Sequence, residues 1–188
     1  MSAPPVAGAG SSPRVGVVQH WYKEHPSPTG RFEAGQLVPV PEASAADTIV
    51  WWRLPAEADG IQVWEGLAAQ RLDDDRATVR AVPLFAYDVG YGDEVLVADS
   101  PEGGLVVTGV ASDRGSYTFR VWLGDGAGDD VRAVVREFGE LGCLIEGYSD
   151  KLVGLSCEPG DAQTVADALH RAEQRGRLTY ETGRQAST

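Results

Sequence analysis

The histidines are the first residues to consider for chemistry, because imidazole transfers protons and binds metals near neutral pH. The chain has three of them, His20, His25 and His170. No HExxH pair occurs, and no histidine stands beside a pair of cysteines. We therefore expect no histidine-based catalytic site, with His170 on a helix surface and the other two in an irregular N-terminal segment.

Cys143 and Cys157 are the only cysteines, and they flank a predicted hairpin. Their spacing matches neither a CxxC motif nor a Cys/His zinc site, and neither has an assignable His or Asn partner for nucleophilic catalysis. Free cysteine usually behaves as a small buried side chain. We favour two buried thiols over the alternative of a redox pair, in a reducing cytoplasm.

The glycine-rich segment 124–130 lies between a predicted strand and a predicted helix, where phosphate-binding turns occur. Asp129 replaces the third glycine of GxGxxG, no GK[ST] is present, and three carboxylates stand where phosphate needs positive partners. The segment also lacks the ligand pattern of an EF-hand. The segment therefore predicts a loop with a helix N-cap at Asp129 or Asp130. From the sequence as a whole we expect the protein to bind no metal and no cofactor.

Two acidic groups could supply the paired carboxylates of an acid–base site, namely Asp73 to Asp75 and the pair Asp93 and Glu94. Both groups fall at predicted turns. Acidic runs at turns are usually solvated surface, and this is the interpretation we favour. The sequence therefore names no catalytic residue.

Aromatic side chains are the largest remaining source of binding energy, because large rigid rings are favoured as anchors. Strand alternation places Trp51 and Trp52 on opposite sides of one strand, and Trp122 opposite Phe119 on another. At least one ring of each pair must therefore leave its core. The hydroxyls of Tyr87 and Tyr91 also need partners. Our candidate ligand-binding residues are Tyr87, Tyr91, Trp52 and Trp122; the alternative is that all aromatics are core or are covered by the N-terminal segment.

The charge and composition exclude several classes of partner. Sixteen Lys and Arg against 28 Asp and Glu give a formal charge of -12, which repels phosphate backbones and anionic lipid. Nucleic acid and membrane are therefore not expected partners. With 43% hydrophobic residues a packed core should form, and neither an export signal nor an apolar stretch of membrane-spanning length is present, so we expect a cytoplasmic protein.

The first two thirds of the chain divide into an arm and a β-rich lobe. Proline and glycine recur through residues 1–47, which predicts an arm that is either docked or disordered. Residues 48–115 contain five short β-rich runs, at 48–54, 61–72, 77–82, 93–98 and 104–111. Strands this short with polar or glycine-rich turns predict a small β-barrel or a strongly curled sheet.

Residues 116–188 predict a second lobe of strand, helix, strand, strand, helix and strand. The strands are expected at 116–123, 143–148, 152–157 and 177–181, with one helix over 131–141 and the other starting at Asp161. This βαββαβ order is ferredoxin-like: both helices cover one face of an antiparallel sheet, and the other face is free. The fold class is therefore α+β. We expect a ligand on the free face or at the seam between lobes, and we expect the chain from Thr48 onward to fold without the arm.

The stretch VPLFAYDVGYGDEV at 82–95 resembles the signature of DUF4265, a mainly bacterial family catalogued as a domain of unknown function. Four later stretches are similar to landmarks of the same family: GLVV at 104–107, RGSYTFRV at 114–121, LGCLIEG at 141–147 and YETG at 180–183. The resemblance covers roughly residues 48–183. It supports a folded domain and implies no reaction.

From these features the sequence favours a non-catalytic recognition protein that binds a peptide or a protein, as an accessory in the making or handling of a modified peptide. The motivation is an open sheet, unpaired strand edges, surplus aromatics and an absent catalytic set. The first alternative is a small-molecule enzyme with a carboxylate and tyrosine site between the lobes, which requires a pocket with perturbed titratable groups. The second is an acidic immunity or regulatory protein, whose binding would be steeply salt-dependent.

Overall fold

The structure, a computed structural model, describes residues 20–124 and 131–183. These residues form two six-stranded sheets, with three helices. No helix in the described part of the chain is long and apolar enough to cross a membrane.

Five strands of the first sheet close into a barrel, which confirms the predicted β-barrel. They are β4 (Thr48–Arg53), β5 (Gln62–Arg71), β6 (Arg76–Val79), β7 (Glu94–Asp99) and β8 (Leu105–Ser112). The order is β5-β4-β8-β7-β6, and β5 also pairs with β6, which closes the ring. Val50, Leu67 and Val95 fill the interior and are fully buried. The bulk of β-branched and aliphatic residues at alternate positions explains why these short runs form strands.

The second lobe contains every strand and helix that the sequence predicted for residues 116–183. These are β9 (Tyr117–Trp122), α2 (Val131–Glu140), β10 (Leu144–Gly147), β11 (Leu152–Cys157), α3 (Ala162–Gln174) and β12 (Thr179–Thr182). The four strands are antiparallel in the order β12-β9-β11-β10. Phe119, Phe138 and Leu169 form the core between this sheet and the two helices. The chain is therefore an α+β protein with a barrel.

Glycine ends both long helices, as the sequence predicts. Gly142 has a φ of 86° just after α2, and Gly176 has a φ of 69° just after α3. A positive φ turns the chain away at little steric cost only for glycine. Asp161 is the N-cap residue of α3, whereas the predicted N-caps of α2, Asp129 and Asp130, lie outside the described residues.

The described part of the arm docks on both lobes. Strand β1 (His20–Glu24) pairs parallel with β5, while β2 (Gly30–Glu33) and β3 (Gln36–Pro39) form a hairpin that extends the second sheet beside β10. A short helix α1 (Pro41–Ser44) follows. A Cβ on Gly139 of α2 would lie 2.3 Å from Cβ of Phe32, so this glycine makes room for the hairpin.

The sheet face opposite the two helices is not free at its centre, and that expectation was wrong. Residues 80–90, between β6 and β7, run across it. A Cβ on Gly154 of β11 would lie 2.9 Å from the side chain of Val82 and 3.0 Å from that of Leu84. Val82 and Leu84 are buried between the lobes, because an apolar irregular segment is more stable against an apolar face than in water.

Candidate functional site

The segment that joins the lobes is fixed to the barrel by Glu65. This side chain lies on the inner face of β5 and is fully buried. Its carboxylate accepts the backbone N–H groups of Leu84 and Ala86, each at 2.6 Å, and of Phe85 at 3.1 Å. Charged hydrogen bonds to consecutive amides satisfy an irregular backbone that has no strand partner.

Glu146 fixes the same segment from the second sheet. It is buried on β10 and accepts the backbone N–H of Val82 at 2.8 Å and the hydroxyl of Thr29 from the arm. The arm, the barrel and the second sheet therefore meet at this pair of glutamates. A buried carboxylate requires such donors, because an unpaired charge in the interior is strongly destabilising.

His25 lies between the two carboxylates. Its Nε2 is 2.9 Å from Oε1 of Glu65, and its Nδ1 hydrogen-bonds to Glu146. Burial acts to lower the pKa of His25, but the bonds to Glu146 and Glu65 outweigh it and raise the pKa to about 9. An imidazolium at neutral pH offsets part of the two negative charges.

The sequence offers His25 no motif partner, but the fold gives it two carboxylate partners. Its partners stand 40 and 121 positions away in the chain. No local motif connects the three residues, because they come from separate parts of the chain that only the tertiary fold brings together. His170 is exposed and hydrogen-bonds to Gln174, as a helix-surface residue would.

His25 and Glu146, but not Glu65, line a cavity of about 330 Å³, together with Trp51 and Arg80. Both oxygens of Glu65 already accept backbone N–H groups, and Oε1 also faces His25. A carboxylate with its lone pairs occupied is a poor proton acceptor for a substrate. The arrangement is therefore better suited to holding the lobes together than to acid–base catalysis.

A second surface, which we call the aromatic groove, lies on the outside of the barrel. It is formed by His20, Tyr22, Trp51, Trp64 and Glu102 and encloses about 390 Å³. The rings of Tyr22 and Trp51 meet edge to face with centroids 4.9 Å apart, and His20 and Trp64 are 6.2 Å apart. Strand pairing brings the rings of the arm beside those of the barrel, because Tyr22 of β1 lies directly beside Trp64 of β5.

Gly66 shapes the floor of the aromatic groove. It is directly opposite Trp51 in the β4–β5 pair. A Cβ at this position would lie 2.8 Å from Cζ3 of Trp51 and 3.2 Å from the side chain of Ile49. The absence of a side chain at Gly66 thus lets the indole of Trp51 lie across the neighbouring strand.

Two carboxylates, those of Glu24 and Glu102, line the aromatic groove. The phenol of Tyr22 donates to Glu102 at 3.1 Å, and Nδ1 of His20 is 3.1 Å from the same oxygen. Burial, and then the hydrogen bond to Glu102, raise the pKa of Tyr22, which stays a donor. Glu24 also lines the opening. The indole Nε1–H of Trp64 is buried and has no acceptor among the described residues.

The four candidate residues from the sequence lie in four different surroundings. Tyr87 is exposed, donates its hydroxyl to Glu181 at 3.1 Å, and covers the guanidinium of Arg120 with its ring centroid 4.1 Å away. Trp52 packs partly buried against the barrel core, whereas Trp122 is exposed on the second sheet.

Tyr91, the fourth candidate, lines a cavity at the seam. Within the described ranges, no two of these four residues share a hydrogen bond or ring contact. Their role in ligand binding stays a prediction. Of the adjacent tryptophans, it is Trp51 rather than Trp52 that lines a groove, together with the arm.

The prediction that the acidic residues lie at the surface is confirmed for one group and wrong for the other. Asp74 and Asp75 are exposed at a turn, as predicted, but Asp93 is fully buried. Its carboxylate accepts the N–H groups of Gly90, in the turn before β7, and of Arg114, in the loop after β8, both at 2.8 Å.

Both cysteines are buried and free, as expected. No group of three or more His, Cys, Asp or Glu in residues 20–124 and 131–183 is placed to hold a metal ion. The glycine-rich segment falls largely outside this description, since residues 125–130 are not part of it.

Comparison with known proteins bears on the family and the fold. The model of a domain of unknown function, DUF4265, matches residues 65–180. A solved structure, described as a hypothetical protein from Neisseria gonorrhoeae, is 15% identical with a TM-score of 0.63, covering 75% of this chain and 96% of that one. This likeness shows the fold alone. No curated protein matches the sequence.

Proposed function

The chain belongs to the DUF4265 family of unknown function, and we propose that it is a non-catalytic recognition protein that binds a peptide or protein partner through the aromatic groove. The observation that carries the proposal is the meeting of Tyr22, Trp51 and Trp64 with Glu102 in one concave surface. Rigid aromatic anchors at the centre of a pocket dominate the affinity of most protein interfaces.

The expected occupant is a peptide segment that presents a Lys or Arg side chain. Aromatic faces attract cations, and the carboxylates of Glu24 and Glu102 at the opening add to this attraction. The formal charge of -12 favours encounter with a basic partner and disfavours an acidic one. The chemistry of the groove and the charge of the chain therefore select the same class of ligand.

The groove also offers hydrogen bonds to a peptide backbone. Strand β1 stands at the end of its sheet order, so one of its edges has no strand partner among the described residues. An extended peptide beside such an edge gains main-chain hydrogen bonds, which is the physical basis of strand addition.

The test uses a capped tetralysine peptide and a tetranorleucine control of the same length, each titrated into the full chain by calorimetry. We expect the lysine peptide to bind at least tenfold more tightly, and Glu102→Gln and Tyr22→Ala to weaken it at least tenfold while thermal melting is unchanged. Tyr87→Ala and Trp122→Ala, two exposed aromatic residues outside the groove, serve as controls. Equal binding of the two peptides, no binding, or loss of binding only in the control variants would contradict the proposal.

A second candidate function has one observation in its favour. The cavity beside His25 and Glu146 contains a titratable group with a strongly raised pKa, as a small-molecule enzyme between the lobes would require. The occupied oxygens of Glu65 count against it. The acidic immunity or regulatory role requires the same basic partner as the groove, but its affinity should fall steeply with salt wherever on the acidic surface the partner binds.

We further infer that the second lobe is ferredoxin-like. The support is the strand order β12-β9-β11-β10 with one helix after each of β9 and β11, both on one face. The cytoplasmic location and the narrower accessory role in modified-peptide biosynthesis remain proposals.

A further inference from the structure

A cavity of about 750 Å³ lies at the seam where the arm, the barrel and the second sheet meet. Arginines approach it from three elements: Arg31 lies on β2, Arg80 follows β6, and Arg114 follows β8. Tyr91, Thr78 and Ser156 also line it. This seam cavity shares no residue with the aromatic groove.

The three arginines are not neutralised by carboxylates. Among the described residues, neither Arg31, Arg80 nor Arg114 has an Asp or Glu within ion-pair distance, whereas Arg76, Arg120 and Arg177 each have at least one. The guanidinium of Arg80 donates only to the amide oxygen of Gln70, at 2.9 Å. The chain has a formal charge of -12, so three arginines around one cavity without an ion-pair partner need a physical reason.

Two buried polar atoms of residues that line the seam cavity form no hydrogen bond of normal geometry. Nε of Arg80 and the hydroxyl of Tyr91 are both inaccessible and have no such partner in the described part of the chain, although the Arg80 side chain lies close enough to act on the Tyr91 hydroxyl. A buried donor without a hydrogen-bond partner destabilises the fold. Burial raises the pKa of Tyr91, against the opposing effect of the Arg80 charge, so the phenol keeps its proton and can donate.

We propose that the seam cavity binds a small anion, a carboxylate or a phosphate, with Arg80 and Tyr91 as its central donors, and that the Tyr91 phenol turns toward the ligand from the inaccessible position that it has in the empty cavity. A planar guanidinium matches either oxyanion with two parallel hydrogen bonds, and the phenol supplies a third. Arg114 and Arg31 add charge at the mouth. The ligand must be small and only locally anionic, because Glu42, Glu94, Asp113 and Glu158 line the remaining wall and would repel a polyanion.

The probes are inorganic phosphate and succinate, each compared with sodium chloride at matched ionic strength, with thermal melting and calorimetry on the full chain. We expect one of them to stabilise the protein in a concentration-dependent way, and the two arms decide between phosphate and carboxylate. Tyr91→Phe removes only the unpartnered hydroxyl. It should bind the anion at least tenfold more weakly, yet melt at the same or a higher temperature without it.

Arg114→Gln changes an exposed residue and should also weaken binding by severalfold without unfolding the chain. Tyr180→Phe on β12 and Arg53→Gln on β4 are the matched controls, which should bind as the unchanged protein does. If neither anion stabilises the protein beyond chloride, the proposal is wrong. It is equally overturned if Tyr91→Phe and Arg114→Gln bind as tightly as the controls.

Discussion

Glu65 and Glu146 hold the same chain segment from opposite lobes: the first accepts the N–H of Leu84 at 2.6 Å and the second the N–H of Val82 at 2.8 Å. Both amides belong to the stretch 82–95 that carries the family resemblance. The beginning of that stretch is therefore a structural joint between the barrel and the second sheet. This explains why its backbone is irregular and its Val82 and Leu84 side chains are buried.

Glu65→Gln should destabilise the protein by about 3 kcal/mol, because the amide leaves backbone N–H groups and His25 facing a weaker, partly repulsive partner. Urea unfolding measures the change. Glu57→Gln, in an exposed turn, is the control and should stay within about 0.5 kcal/mol of the unchanged protein. Equal stability of the two variants would show that the Glu65 cluster does not join the lobes.

His25 should make the stability pH-dependent. Its pKa is raised from 6.5 to about 9 in the folded state. The stabilisation is therefore fully present below pH 6.5 and is lost as the pH rises through about 9. A shift of this size corresponds to about 3 kcal/mol.

The measurement is the free energy of unfolding against pH for the unchanged protein and for His25→Gln. The gap between the two curves should shrink between pH 6.5 and about 9. Titrating groups that do not contact His25 are shared by both proteins and cancel. A gap that stays constant across this range would mean that His25 is neutral in the fold.

Removal of residues 1–47 should destabilise the remaining chain. The sequence alone leads to the opposite expectation, that the chain from Thr48 onward folds by itself. The structure shows what the deletion removes: His25 and Thr29 leave Glu65 and Glu146, and β2 leaves β10. Two buried carboxylates would lose partners, which typically costs several kcal/mol.

Circular dichroism and urea unfolding of the truncated chain test this prediction. Gly139→Ala in the full chain is a milder version, since the added methyl collides with Phe32 and should displace the β2–β3 hairpin from α2. A truncated chain as stable as the full one would restore the sequence-based boundary at Thr48.

The second lobe was predictable because its signals are local. Strand β11 spans Leu152–Cys157, the range expected from its apolar run, and Gly142 and Gly176 mark the two helix ends through their positive φ. Strands β1, β2 and β3 were not predictable. They are only four or five residues long; β1 pairs with β5, and the β2–β3 hairpin joins the second sheet through β10, both of which are remote in sequence.

The candidate sites were less predictable than the fold. Trp51 and Trp52 were correctly separated by alternation, but the sequence did not show that Tyr22 of the arm would meet Trp51. His25 looked isolated because its two glutamates are distant in the chain. Asp93 looked like a surface residue because the amides it satisfies belong to two loops, one before β7 and one after β8, that only the fold brings together.

Gly66→Ala should disable the aromatic groove. The added Cβ would lie 2.8 Å from the Trp51 ring, so the indole must move off the β5 strand. Such overpacking typically costs about 1–3 kcal/mol.

Gly109→Ala on β8 is the matched control: it is also a strand glycine without positive φ, and its nearest neighbour would be a Leu96 methyl at 4.0 Å. Near-ultraviolet circular dichroism should report the displaced indole in the first variant alone. The capped tetralysine peptide should then bind at least tenfold more weakly to Gly66→Ala and normally to Gly109→Ala. If Gly66→Ala keeps both its spectrum and its affinity, Trp51 does not need the open strand surface, and the groove is not the recognition site.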